Sequence, residues 1–148
     1  MSQHRDDLYT TLAQDFLYKD PTKNVVFLDN HDMSRFYSVV GENVEKYKSS
    51  LCWLMTCRGI PQLYYTSEFA TTGNTWPSDG YVRLDFPGGW EGDKVNKFTA
   101  NGRTELDNVI FNHVHILANF RKKLITLLSH DNRYQFELCD ILPVNVDT

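Results

Sequence analysis

The sequence predicts an α/β fold on parallel strands, and one left incomplete within this chain. Three observations carry that expectation. Apolar periodicity runs helix, strand, helix, strand over residues 5–65, the order in which right-handed crossovers lay down a parallel sheet. The first strand, residues 24–28, is a short unbroken apolar run, Val25-Val26-Phe27-Leu28, of the kind buried on both faces of such a sheet. Two strands with three helices cannot close such a sheet, because a strand buried on both faces needs a neighbour on each edge.

Each element has its own signal. Leu8, Leu12 and Phe16, with Tyr9 beside them, give residues 5–18 one apolar face, and Asp20-Pro21-Thr22 stops that helix. The strand at 24–28 ends in Asp29-Asn30-His31-Asp32. This sets carboxylate, amide and imidazole at its C-terminal mouth, the edge where parallel α/β folds bind ligands. Met33 to Glu42 reads as a loop, with Arg35 and Phe36 close behind the mouth. Asn43 caps a second helix over 44–58, whose buried stripe is Val44, Tyr47, Leu51 and Leu54, widened by Trp53. Arg58 suits its negative pole and Gly59 its C′ position. A second strand follows over 60–65, with Pro61 near its start.

Residues 66–103 break the rhythm, with Gly73, Gly80, Gly88, Gly89, Gly92 and Gly102 interleaved with Trp76, Tyr81, Phe86 and Trp90. A loop this long is functional or disordered, and its aromatics argue against disorder. Thr104-Glu105-Leu106-Asp107 is a capping box opening a third helix, with Leu106, Val109, Ile110, Leu117, Phe120 and Leu124 at helical spacing. The chain thus divides into residues 1–128 and a weakly patterned tail, 129–148, in which Tyr134 to Leu138 alternates like a strand without a partner.

Composition narrows the function. Net charge is −4 with both signs mixed along the chain, so nucleic acid is not an expected partner. No run approaches the ~20 apolar residues of a membrane span. Cys52 and Cys57 fall on different faces of one helix and, with Cys139, form no disulfide framework. The opening Met1 to Asp7 is polar and is not a signal peptide, but the native N-terminus is expected to lie outside this chain, so the compartment stays open between periplasm and cytoplasm. No cofactor is expected. His31-Asp32 could belong to a metal site, but no other His/Asp/Glu cluster has supporting spacing, so no metal is expected either.

Plain structural readings stand beside the chemical ones. Asn30 and Asp32 could form a turn and cap after a strand. Arg35 could be a surface charge or a substrate contact, and Tyr64 and Tyr65 core rather than ligands. Glu68 suits a structural acceptor better than a catalyst, and His113 and His115 suit packing or surface positions on a helix. Trp76, Trp90 and Phe86 serve equally as loop packing or as platforms for sugar faces.

Two motifs, in order, carry a resemblance. Phe27-x-x-Asn30-His31-Asp32 resembles the signature at the end of the seventh barrel strand in the α-amylase family of glycoside hydrolases. Gly59-Ile60-Pro61-Gln62-Leu63-Tyr64-Tyr65-x-x-Glu68 resembles the family's eighth strand. A third, less specific stretch, Arg83-x-Asp85-Phe86-Pro87-Gly88-Gly89-Trp90, is similar to a loop of the cyclomaltodextrinase and neopullulanase branch.

The resemblance implies a partial (β/α)8 TIM barrel: strands seven and eight with flanking helices, the last quarter of a domain of ~250 residues. It implies retaining cleavage of α-1,4-glucans, in which a nucleophile and a general acid/base stand about 5 Å apart. Those two carboxylates belong to strands four and five, which no segment here resembles. Asp32 matches the family's third carboxylate, which binds sugar hydroxyls and favours the oxocarbenium-like transition state. His31 matches the histidine on the same sugar, and Asn30 the residue supporting their turn. Arg35, Trp76 and Trp90 are further candidate substrate contacts.

An α-glucan oligosaccharide and the remainder of the barrel are then the expected partners, and this chain is expected to be inactive alone. Two departures stand out. Thr66 replaces the glycine that usually follows the second tyrosine, which predicts a different turn there. The similarity also fades past Lys122. Readings from other classes are a non-catalytic glucan-binding module built around Trp76, Trp90 and His31, and a nonfunctional gene remnant.

Overall fold

The computed structural model describes residues 3–128, with side chains over 7–123, and the predicted alternation is there. α1 (Gln3–Ala13) runs into a 3₁₀ turn, Gln14–Leu17, and β1 (Val25–Phe27) follows. α2 (Phe36–Val39) and α3 (Val44–Thr56) precede β2 (Ile60–Gln62), and α4 (Glu105–Leu128) comes after the long excursion. That excursion carries 3₁₀ turns at Ser67–Phe69, Asp79–Val82 and Ala100–Gly102. The expectations for residues 129–148, the Tyr134 to Leu138 alternation among them, and for the Leu124 side chain lie outside what is described.

β1 and β2 pair in parallel, with Val25 opposite Ile60, Val26 opposite Pro61 and Phe27 opposite Gln62. The Ile60 N–H donates to the Asn24 carbonyl at 2.8 Å. Successive residues of a strand turn their backbone groups to opposite sides. Pro61, which has no N–H, therefore faces away from β1, and its place in mid-strand costs no ladder bond. Gly59 has φ +98°, and a Cβ there would stand 2.4 Å from the Asn24 carbonyl oxygen. This glycine lets the two backbones approach. It does not sit at C′ of α3, which already ends at Cys57 in an extended conformation.

The expectation that β1 is buried on both faces does not hold among the described residues: Val25 is 51% and Phe27 42% exposed. The apolar run does make a strand. Burying both of its faces takes more than one partner strand, and the sheet described here has two strands.

The core lies between α3 and α4. Tyr47, Leu51, Cys52 and Met55 pack with Ile110, Val114 and Leu117, and Tyr37 of α2 joins them. Both predicted caps form. Asn43 Oδ1 accepts from Lys46 N at 2.9 Å, while Thr104 Oγ1 accepts from Asp107 N at 3.1 Å and Asp107 Oδ2 from Thr104 N at 2.9 Å. The inward stripe of α4 is rotated from the predicted one. Asp107, Ile110, Val114 and Leu117 face in, whereas Leu106 and Val109 are exposed.

Three more corrections concern Phe16, Arg58 and the loop at 33–42. Phe16 is exposed because the chain tightens into a 3₁₀ turn after Ala13 and leaves the α-helical register. Asp15 of that turn accepts from Arg58, whose Nε donates to Oδ2 at 2.5 Å and Nη2 to Oδ1, so Arg58 is buried in an ion pair. The last carbonyls of α3 are met instead by Arg121 of α4, whose Nη1 donates to Met55 O at 2.8 Å and Cys57 O at 2.9 Å. Finally, the predicted loop at 33–42 contains α2. Its N-cap residue, Arg35, supplies no side-chain cap; the cap comes from Asp29, whose Oδ2 accepts from Phe36 N at 2.8 Å.

Candidate functional site

The site forms where β1 stops. Asp29 turns inward and is buried, its Oδ2 taken by Phe36 N and its Oδ1 accepting from Ser67 Oγ at 3.2 Å. One carboxylate thus ties the mouth of β1 to the start of α2 and to the turn after β2. Asn30 folds the next residues back: its Oδ1 accepts from Asp32 N at 2.9 Å and its carbonyl from Met33 N at 3.3 Å. This Asx turn sends the His31 and Asp32 side chains out to solvent, with His31 Nε2 3.2 Å from Asp32 Oδ2.

A residue that sequence reasoning did not single out completes the group. Arg83 follows the Asp79–Val82 turn, which Ser78 caps by accepting from Gly80 N at 3.2 Å. Its Nη2 donates to Asp32 Oδ1 at 2.8 Å and to Asp79 Oδ2 at 3.0 Å, and its Nε to the His31 carbonyl at 2.8 Å. The only sequence signal for it was its place at the head of the Arg83 to Trp90 stretch. The mouth therefore presents an imidazole and a carboxylate side by side, the carboxylate fixed by a guanidinium. Such a pair can hold vicinal hydroxyls, one group accepting and the other accepting or donating.

Arg35 lies elsewhere. It is 1% exposed, its Nη1 donates to Tyr65 O at 2.7 Å, and its guanidinium lies 4.1 Å from the Tyr64 ring centroid and 4.8 Å from that of Tyr65. The surface-charge reading is thereby overturned: the guanidinium is buried beneath the two tyrosines, with Nη1 held by the Tyr65 carbonyl. Burial pushes the Tyr64 phenol above its ordinary value, with Tyr65 adding to the shift and Arg35 opposing it. Burial likewise raises the Glu68 carboxyl, with backbone hydrogen bonds pulling the other way.

Of the two candidate tryptophans, Trp76 is the one carried toward the mouth. Its neighbour Thr75 donates from N to Ser34 Oγ at 3.2 Å, two residues beyond Asp32, and the Trp76 ring is exposed. Trp90, also exposed, sits on a turn closed by its N–H donating to Asp93 Oδ2 at 3.0 Å. That turn belongs to the loop where Phe86 stacks on Phe98, ring centroids 4.4 Å apart. No cluster of three or more His, Cys, Asp or Glu among the described residues could hold a metal ion.

Thr66 stands where the resemblance expects a glycine. It takes the left-handed conformation, φ 65° and ψ 2°, that a glycine adopts without strain.

Comparison with known proteins places the chain in a family. The family model for the α-amylase catalytic domain matches residues 1–123. The chain is 40% identical over 74 residues to an α-amylase of Niallia circulans, a stretch covering 50% of this chain and 13% of that protein. It is 37% identical over 90 residues to a cyclomaltodextrin glucanotransferase of Paenibacillus macerans, covering 60% and 12%. The crystal structure of the α-amylase from Geobacillus thermoleovorans complexed with acarbose superposes with a TM-score of 0.61 at 26% identity, covering 84% of this chain and 25% of that one. The chain thus spans a small part of each of these proteins.

Proposed function

The chain belongs to the α-amylase family of glycoside hydrolases through the family's catalytic domain, and we propose that it forms strands seven and eight of the (β/α)8 barrel of a retaining α-glucan hydrolase. The observation that carries this reading is the Asx turn presenting His31 and Asp32 at the C-terminal end of β1, with β2 parallel beside it.

In this role Asp32 and His31 accept and donate hydrogen bonds to hydroxyls of one glucose ring. Bonds that tighten as positive charge develops on that ring lower the barrier to cleavage. Arg83 keeps the Asp32 carboxylate aimed, and Asn30 holds the turn. The nucleophile and the general acid/base come from strands outside this stretch. Asp79 does not replace them, because it and Asp32 share one nitrogen of Arg83 rather than facing each other across a scissile bond. The Arg83 to Trp90 stretch favours the cyclomaltodextrinase and neopullulanase type, acting on α-1,4-glucosidic bonds.

Incubation with maltoheptaose and β-cyclodextrin tests the assignment. This chain alone gives no turnover, binds maltoheptaose weakly by calorimetry, and loses that binding in Asp32→Asn. Robust turnover by the chain alone would overturn the division of labour. The exposed Trp76 ring favours one second reading, a glucan-binding module; binding that survives Asp32→Asn and is lost in Trp76→Ala would select it.

A further inference from the structure

A cavity of about 340 Å³ lies behind the mouth, between the start of the 66–103 excursion and the first turn of α4. Its floor includes Arg35 and Thr66, which are 1% and 3% exposed. Each brings a buried polar atom with no hydrogen-bond partner, Nε of Arg35 and Oγ1 of Thr66. An orphaned buried donor costs about 1–3 kcal/mol, and here two such groups line the same space.

We propose that this cavity is a second ligand site, separate from Asp32, for a neutral hydroxyl-bearing molecule of hexose size. Charge argues for neutrality. Lys97 and Asp107 line the cavity and pair with each other, Nζ 2.9 Å from Oδ2, and the lining adds one more cation, Arg35, and one more carboxylate, Asp85, so as a whole it carries no net charge. Chemistry argues for hydroxyls: the Arg35 Nε–H lacks an acceptor, and the Thr66 hydroxyl can donate or accept. The rest of the lining is largely apolar, with Phe69 and Val82 on the floor, which suits the C–H faces of a ring carrying hydroxyls at its edge. The volume falls near the lower end of small-molecule pockets, roughly 300–1,000 Å³.

The test is a glucose titration of the whole chain, followed through the methyl resonances of Ala70 and Val82, with inorganic phosphate as the charged probe. Millimolar glucose shifts both methyls. Thr66→Gly, which removes the hydroxyl and keeps the left-handed backbone, weakens the effect about tenfold, as loss of one hydrogen bond predicts. Leu84→Trp, which narrows the exposed rim, abolishes it. Asp32→Asn leaves it unchanged, so failure here and failure of the sugar-contacting role of Asp32 read out separately. Silent methyls at saturating glucose, a response indifferent to Thr66→Gly and Leu84→Trp, or a response to phosphate and not to glucose would each overturn the proposal.

Discussion

Arg83 holds Asp32 from 51 residues away, its Nη2 donating to Oδ1 at 2.8 Å, while its Nε fixes the carbonyl of His31 at the same distance. One side chain thereby ties the turn after β1 to the excursion after β2. Both charged groups remain partly open to water, which sets how much the contact stabilises and how much it merely positions.

Arg83→Gln is accordingly expected to cost less than about 1 kcal/mol of stability, the range of exposed ion pairs. Its larger effect falls on local order, since the Asx turn at residues 30–33 loses two external bonds. Urea unfolding and amide exchange at Asp32 check this; a drop of several kcal/mol would show that the contact is structural rather than positional.

Asp29→Ala is the damaging change at the mouth. It strands the Phe36 N–H at the start of α2 and takes the acceptor from Ser67 Oγ, a loss of about 3 kcal/mol. Asp29→Asn keeps one acceptor and loses less, and Ser67→Ala costs about 1 kcal/mol. Denaturant midpoints of the three variants should fall in that order.

Thr66→Gly is expected to stabilise the chain by about 1 kcal/mol, because it relieves a β-branched residue at φ 65° and removes an unpaired hydroxyl, against the chain entropy glycine adds when unfolded. Thr66→Ala removes the hydroxyl and keeps most of the backbone penalty. Thermal melts showing Gly above Ala would locate the strain in the backbone.

His113 gives the fold a pH dependence. Its Nε2 lies 3.1 Å from the Lys48 carbonyl, an acceptor, so that nitrogen carries the hydrogen. Burial pushes the imidazole below its ordinary value near 6.5, opposed by the bond to Lys48. Below that value the unfolded chain takes up a proton that the folded chain resists, so stability falls as pH drops below about 6.5 and levels off under the folded pKa. His113→Gln, which can still donate to Lys48, should flatten that part of the profile of unfolding free energy against pH.

What could be read from the sequence was what neighbouring residues decide. Asn43 and the Thr104–Asp107 box sit within three residues of the groups they cap, and both form as patterned. The Asn30-His31-Asp32 mouth was visible because an apolar run stops abruptly in polar residues. What escaped depends on distant partners. Arg83 meets Asp32 across the whole of α3 and β2, and Asp29 caps α2 from seven residues upstream. Arg35 reads from sequence as either a surface charge or a substrate contact, because nothing adjacent announces two tyrosine rings and a carbonyl thirty residues on. Val25 and Phe27 were expected inside because a run of apolar residues describes the surroundings a strand suits, and says nothing of how many neighbours stand beside it.

The orientation of Pro61 makes the two flanks of the sheet chemically unequal. Val25 and Phe27 point amide donors outward from β1, whereas the residue pointing outward from the middle of β2 has none to give. A second copy adding edge to edge can therefore pair along β1 and finds no such foothold along β2. Two molecules joined through their first strands would end in proline on either side, so this mode of self-association halts at pairs and does not propagate into fibres.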